Sequence, residues 1–93
     1  MNSEEMLVML KADLQMLTDS NDDYLRQLIS FARQRMERMG IVVEDTIECN
    51  TLQEMYAAHL FRKRAGAETN MPRFLRLGLN DLLLSQKGHS NDV

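Results

Sequence analysis

Leu7, Leu10, Leu14 and Leu17 recur at intervals of three and four, which sets apolar side chains along one stripe of an α-helix. The pattern predicts a first helix over residues 3–17. Asn2 or Ser3 can cap its start, and Glu4 and Glu5 face the positive end of its dipole. The polar run 18–23 breaks the period, because such side chains bond their own backbone and favour turns. Ser20 or Asn21 then restarts a helix that lasts to Met39. Leu25, Leu28, Ala32, Met36 and Met39 form its apolar seam, broadened by Ile29 and Phe31. Asp22 and Asp23 open this helix, Arg33, Arg35 and Arg38 close it, and Gly40 stops it.

Ile41, Val42 and Val43 are β-branched and short: a lone extended segment or an edge strand, with no second strand in the chain to pair with. A neighbouring copy could supply one. Residues 44–50 read either as loop or as the approach to a third helix, which is firm over residues 52–63. Asn50 with Gln53 resembles a capping box for it. Leu52, Met55, Tyr56, His59 and Leu60 form one face, Ala57 and Ala58 allow another helix close, and Gly66 ends the element. After a turn-like loop over residues 65–70, Met71 and Pro72 begin a fourth helix with proline at the first position. Leu75, Leu79 and Leu82 make its stripe, supported by Phe74 and Leu83. Gly78 inside a helix costs about 1 kcal/mol against alanine, which predicts a close backbone contact there.

These elements predict an all-α fold. One compact domain of four helices spans residues 1–87, with a short extended segment after the second helix and a loose polar C-terminal tail at 88–93. No internal repeat or low-complexity tract interrupts it.

Size sharpens the picture. Ninety-three residues make one domain. A chain this short buries roughly 60–65% of the surface its unfolded form exposes, so a lone copy is marginally stable and self-association is a common remedy. Cys49 is the single cysteine, which rules out an internal disulfide and fits a reducing compartment. A net charge of −3 argues against a binder that relies on phosphate neutralisation. No apolar run approaches the ~20 residues of a membrane span, and residues 1–9 lack the basic start of a signal peptide. The expectation is a protein made and kept inside a cell, or carried by something assembled there, with no membrane partner. Eight methionines fit helix cores in place of leucine, and also fit surfaces that adapt to several neighbours.

The chemistry-bearing residues are sparse. His59 has no second His or Cys at a ligand spacing and reads as a packing histidine, so no metal site is expected. Cys49 carries no sign of thiolate activation. The carboxylates at 19, 22 and 23 are explained as turn and cap residues, and the four glycines stand apart rather than forming a phosphate loop. No catalytic constellation and no cofactor box emerges. The basic set Arg62, Lys63, Arg64, Arg73 and Arg76 has two readings. One is a helix C-terminus followed by a solvated face; the other is a docking surface for an acidic partner or DNA phosphate.

The order of segments carries a resemblance. RQLISFARQRMERMGI from Arg26, YAAHLFRKRAG from Tyr56 and MPRFLRLGLNDLLLSQK from Met71 follow a short first helix and an acidic turn. Nearly the whole chain resembles the tailed-bacteriophage head–tail connector proteins, also called adaptor, head-completion or DNA-packaging proteins. The most specific segments are Tyr56-Ala57-Ala58, Arg62-Lys63-Arg64 and Met71-Pro72-Arg73 with Leu75-Arg76. His59 stands where relatives tend to carry a bulky aromatic.

That resemblance implies a structural, non-catalytic protein of the virion head–tail junction, assembled in the bacterial host cytoplasm. Copies would form a ring under the portal protein, extend the channel through which duplex DNA passes without sequence-specific binding, and offer a platform to a tail-side neck or stopper component. Tyr56, Arg62, Lys63, Arg64, Arg73 and Arg76 become candidates for contacts with the portal or the adjoining copy. The competing reading is a small helical DNA-binding or regulatory module that uses residues 72–85 as a recognition helix; net acidity and the leucines of that helix weigh against it.

Overall fold

In the computed structural model, which describes residues 1–66 and 70–91 and the side chains of 1–66 and 70–87, four α-helices follow one another. They are α1 (Ser3–Asp13), α2 (Asp22–Arg38), α3 (Ile47–Arg64) and α4 (Arg73–Asn91). The described residues contain no strand.

Asn2 and Glu5 start α1 with a reciprocal capping box: the Glu5 N–H donates to Asn2 Oδ1 at 2.8 Å, and the Asn2 N–H donates to Glu5 Oε1 at 3.1 Å. The helix ends four residues earlier than the leucine spacing predicts. Gln15 turns into the left-handed region at φ 57°; its N–H returns to the Ala12 carbonyl and that of Met16 to the Lys11 carbonyl. This is the two-bond Schellman closure, made without glycine. Leu17 therefore leaves the stripe and is 97% exposed. Lys11 fastens the turn that follows, lying 2.7 Å from Asp19 and 2.9 Å from Asp22, and these bonds raise its pKa.

α2 spans almost the predicted range and closes in the same manner. Gly40 (φ 98°) donates to the Glu37 carbonyl and Ile41 to that of Met36, and both Ile41 and Met36 are buried where the motif places its apolar contact. Phe31 and Met39 were expected in the α2 seam, but both stay exposed, on the flanks of the buried stripe Leu25, Leu28, Ile29, Ala32 and Met36.

α3 begins at Ile47, so the ambiguous residues 47–50 belong to it. Its cap is Thr46, whose hydroxyl accepts from the Cys49 N–H at 3.1 Å, rather than Asn50. Asn50 lies inside the first turn and reaches back to Asp45 at 2.8 Å, while Gln53 is buried and donates to the Ile29 carbonyl of α2 at 3.1 Å. Gly66 (φ 82°) stands after the C-cap Ala65.

α3 is the central helix, packed against α1, α2 and α4, whereas α4 leans chiefly on α3. Ala57 and Ala58 are fully buried on it, as close helix approach requires. Leu75, Leu79 and Leu82 of α4 are buried as predicted, each worth roughly 1.5–3 kcal/mol relative to exposure. The predicted close contact at Gly78 is with Leu52: a Cβ there would sit 2.7 Å from Leu52 Cδ2.

Pro72 stands one residue before α4, its carbonyl accepting from the Arg76 N–H. Phe74 does not support the core stripe; it is 65% exposed. The backbone of residues 88–91 continues the turns of α4, past the point where the tail was expected to begin.

The β-branched segment after α2 is extended but unpaired with any strand. Ile41 is buried, and the Val42 backbone is held by the Gln86 side chain of α4 through two bonds of 2.8 Å.

Candidate functional site

The basic residues singled out by the sequence divide into two groups. Arg62 and Arg64 are engaged within the chain. Arg62 Nη2 meets the Asp13 carboxylate at 3.2 Å, joining the end of α3 to the end of α1, and the Arg64 guanidinium lies 5.3 Å above the Tyr24 ring. Lys63, Arg73 and Arg76 are exposed and have no ion-pair partner among the described residues. Tyr56 is no surface handle: it is buried, and its hydroxyl accepts from Arg35 Nε at 3.5 Å.

Arg73 and Arg76 border an apolar surface that the leucine count of α4 conceals. At 100° per residue, Phe74, Leu77 and Leu84 fall within about 80° of one another, nearly opposite the buried stripe of Leu75, Leu79 and Leu82. They are 65%, 49% and 65% exposed. α4 thus carries apolar residues on both sides, one turned to α3 and one turned out.

Beneath the Phe74 end of α4 lies a cleft of about 240 Å³ between α3, α4 and the end of α1. Met55, Phe74, Pro72 and Leu75 give it apolar walls, and Asp13, His59 and Arg62 reach it with polar atoms. His59 is buried, its ring 6.5 Å from that of Tyr56.

A buried carboxyl that interacts with Asp13 and Arg62 was not foreseen. Glu54 is only 5% exposed. Burial first, and then the hydrogen bond and negative charge of Asp13, push its pKa up to about 8, with Arg62 pulling the other way. No donor among the described residues reaches Glu54 Oε2. The group is therefore held as the neutral acid, whose proton can bridge to the Asp13 carboxylate while Arg62 neutralises Asp13. The signal was present in the sequence: residues 52–61 carry apolar side chains all round the helix, which marks a helix buried on every side, polar members included.

A second apolar patch sits at the start of α3. Val42 and Ile47 are 60% and 86% exposed, and the exposed Glu44 and Glu48 beside them have no ion-pair partner among the described residues. Asp45 in the same segment is occupied by the Met1 amino group and by Asn50, which lower its pKa.

Among the described residues no group of three His, Cys, Asp or Glu side chains is placed to hold a metal ion, and no described helix is long and apolar enough to cross a membrane. No known protein family, curated protein or solved structure matches this chain.

Proposed function

We propose that this chain is a structural head–tail connector of a tailed bacteriophage. Copies form a ring below the portal that extends the DNA channel and gives the neck or tail its platform. The observation that carries the reading is the distribution of apolar surface: a small helical domain leaves Phe74, Leu77 and Leu84 exposed on α4, and Val42 and Ile47 exposed at and just before the start of α3. Apolar residues left outside in separate patches fit a protein that finishes its burial against neighbours. The segment order of the sequence supplies the rest. Net acidity suits a channel through which DNA slides without capture, since a basic wall would bind phosphate in a salt-dependent manner.

In this reading Arg73 and Arg76, exposed and with no ion-pair partner among the described residues, meet carboxylates of the portal or of the adjoining copy. Arg62 and Arg64 hold the domain's own helices together. The chain performs no reaction, takes no cofactor and works at the virion neck.

The second reading, a small helical DNA-binding module, draws on the same exposed arginines at the start of α4. A salt-dependent gel shift with duplex DNA at micromolar protein favours it over the first. The connector reading is tested in purified tailed particles assembled with this chain: the chain is expected in them, at the neck, and particles that mature without it overturn the reading.

A further inference from the structure

The two exposed apolar patches differ in every respect that matters for pairing. One, at the start of α4, joins Phe74 and Leu77 to Arg73 and Arg76, which have no ion-pair partner among the described residues, and its Phe74 lines the 240 Å³ cleft. The other, at the start of α3, presents Ile47, the more exposed of its two apolar residues with Val42, beside Glu44 and Glu48, which have no ion-pair partner among the described residues. α4 runs antiparallel to α3, with Leu75 beside Met55 and His59, Gly78 against Leu52 and Gln86 on Val42. The two patches consequently lie apart along α3, one at its start and one beside residues 55–59, roughly 12–18 Å away along its axis.

We propose that these patches are the two halves of one contact, and that the occupant of the Phe74 patch is a second copy of this chain presenting Ile47. The inference rests on the ring reading and adds which surfaces meet. Ile47 of one copy enters the cleft between Met55, Pro72, Phe74 and Leu75 of the next. Glu44 and Glu48 then stand against Arg73 and Arg76. Like patches cannot pair, because each repels its own kind: two arginines would face two arginines, or two glutamates two glutamates. The contact is therefore heterologous. A chain of copies propagates through it and closes when the rotation per copy divides a full turn.

The contact is tested by complementation. Phe74→Asp removes the socket and leaves Ile47; Ile47→Asp removes the knob and leaves the socket. Both positions are exposed, so each variant is expected to melt within a few degrees of the wild type, as circular dichroism checks. By sedimentation velocity at up to about 1 mM, the wild type is expected to form a concentration-dependent series of species. Each variant alone is expected to remain monomeric. The two variants mixed in equal amounts should form a species of two copies and nothing larger, since only one competent joint exists between them.

Charge reversal gives an independent arm. Arg73→Glu with Arg76→Glu abolishes association, and adding Glu44→Arg with Glu48→Arg in the same chain restores it. A wild type that is monomeric at about 1 mM, variants that assemble alone, or a mixture that yields no two-copy species each overturn the proposal. Association in solution is read without particles, so a chain that pairs in this way yet is missing from virions sinks the connector reading and leaves this contact standing.

Discussion

Gln86 grips the backbone of Val42 at both of its polar ends. The Val42 N–H donates to Gln86 Oε1 and Gln86 Nε2 donates to the Val42 carbonyl, each at 2.8 Å. A side-chain amide has the donor and acceptor of a peptide group, so Gln86 takes the place that a neighbouring strand would occupy beside this extended segment. Gln86→Ala is expected to cost about 1 kcal/mol in a urea melt and to speed exchange of the Val42 amide proton. Gln86→Glu, which keeps the acceptor and loses the donor, should fall between the two. Unchanged exchange at Val42 in the alanine variant would show that the pair does not hold in solution.

Gln15 closes α1 in a conformation that glycine adopts without steric cost, at φ 57°. Gln15→Gly is expected to raise stability by about 0.5–1 kcal/mol, an increase that survives the extra freedom glycine gives the unfolded chain. Thermal melts at one pH and salt decide it; a lower melting temperature would contradict the assigned geometry.

Glu54 imposes a pH dependence whose sign follows from its raised pKa. The unfolded chain releases this proton near pH 4.5, and the folded chain keeps it up to about pH 8. Between those values the folded state binds the extra proton, so its stability falls as pH rises, by as much as roughly 1.4 kcal/mol per pH unit. Glu54→Gln keeps the shape and has no proton to lose. The gap between variant and wild type should widen in the variant's favour from about pH 5 to pH 8 in parallel urea titrations. Curves that keep a constant separation would mean that Glu54 is ionised in the folded chain.

Gly78 and Leu52 compete for the same space. Gly78→Ala gains about 1 kcal/mol in helix propensity yet is expected to destabilise the wild type, because the new methyl displaces the buried Leu52 side chain. In a Leu52→Ala background the same change should stabilise. A coupling energy above about 1 kcal/mol in this double-mutant cycle is the expected result, and simple additivity would refute the contact.

Periodicity and stop signals made most of this fold legible. Leu25 to Met36 and Leu75 to Leu82 mark buried stripes that fold as read, and Gly40 and Gly66 end their helices where glycine is expected to. What escaped were features with no one-dimensional mark. The break at Gln15 is set by backbone closure, and the leucine rhythm runs straight past it to Leu17. Thr46 caps α3 through its own hydroxyl, while the neighbouring Asp45 is tied to the Met1 amino group, a contact between distant parts of the chain. The candidate surface was half visible. The arginines stand out in the sequence, but which of them are already engaged depends on Asp13 and Tyr24, residues that nothing in the local pattern connects to them.

A helix attached along a single side acts as a handle. Load applied to the outer face of α4 passes through Leu75, Leu79 and Leu82 chiefly into α3, the helix that packs most closely against α2 and also against α1. A tug at Phe74 is thus borne by the whole domain and not by a hinge. Such a load path lets a small protein transmit strain between its neighbours while keeping its own shape.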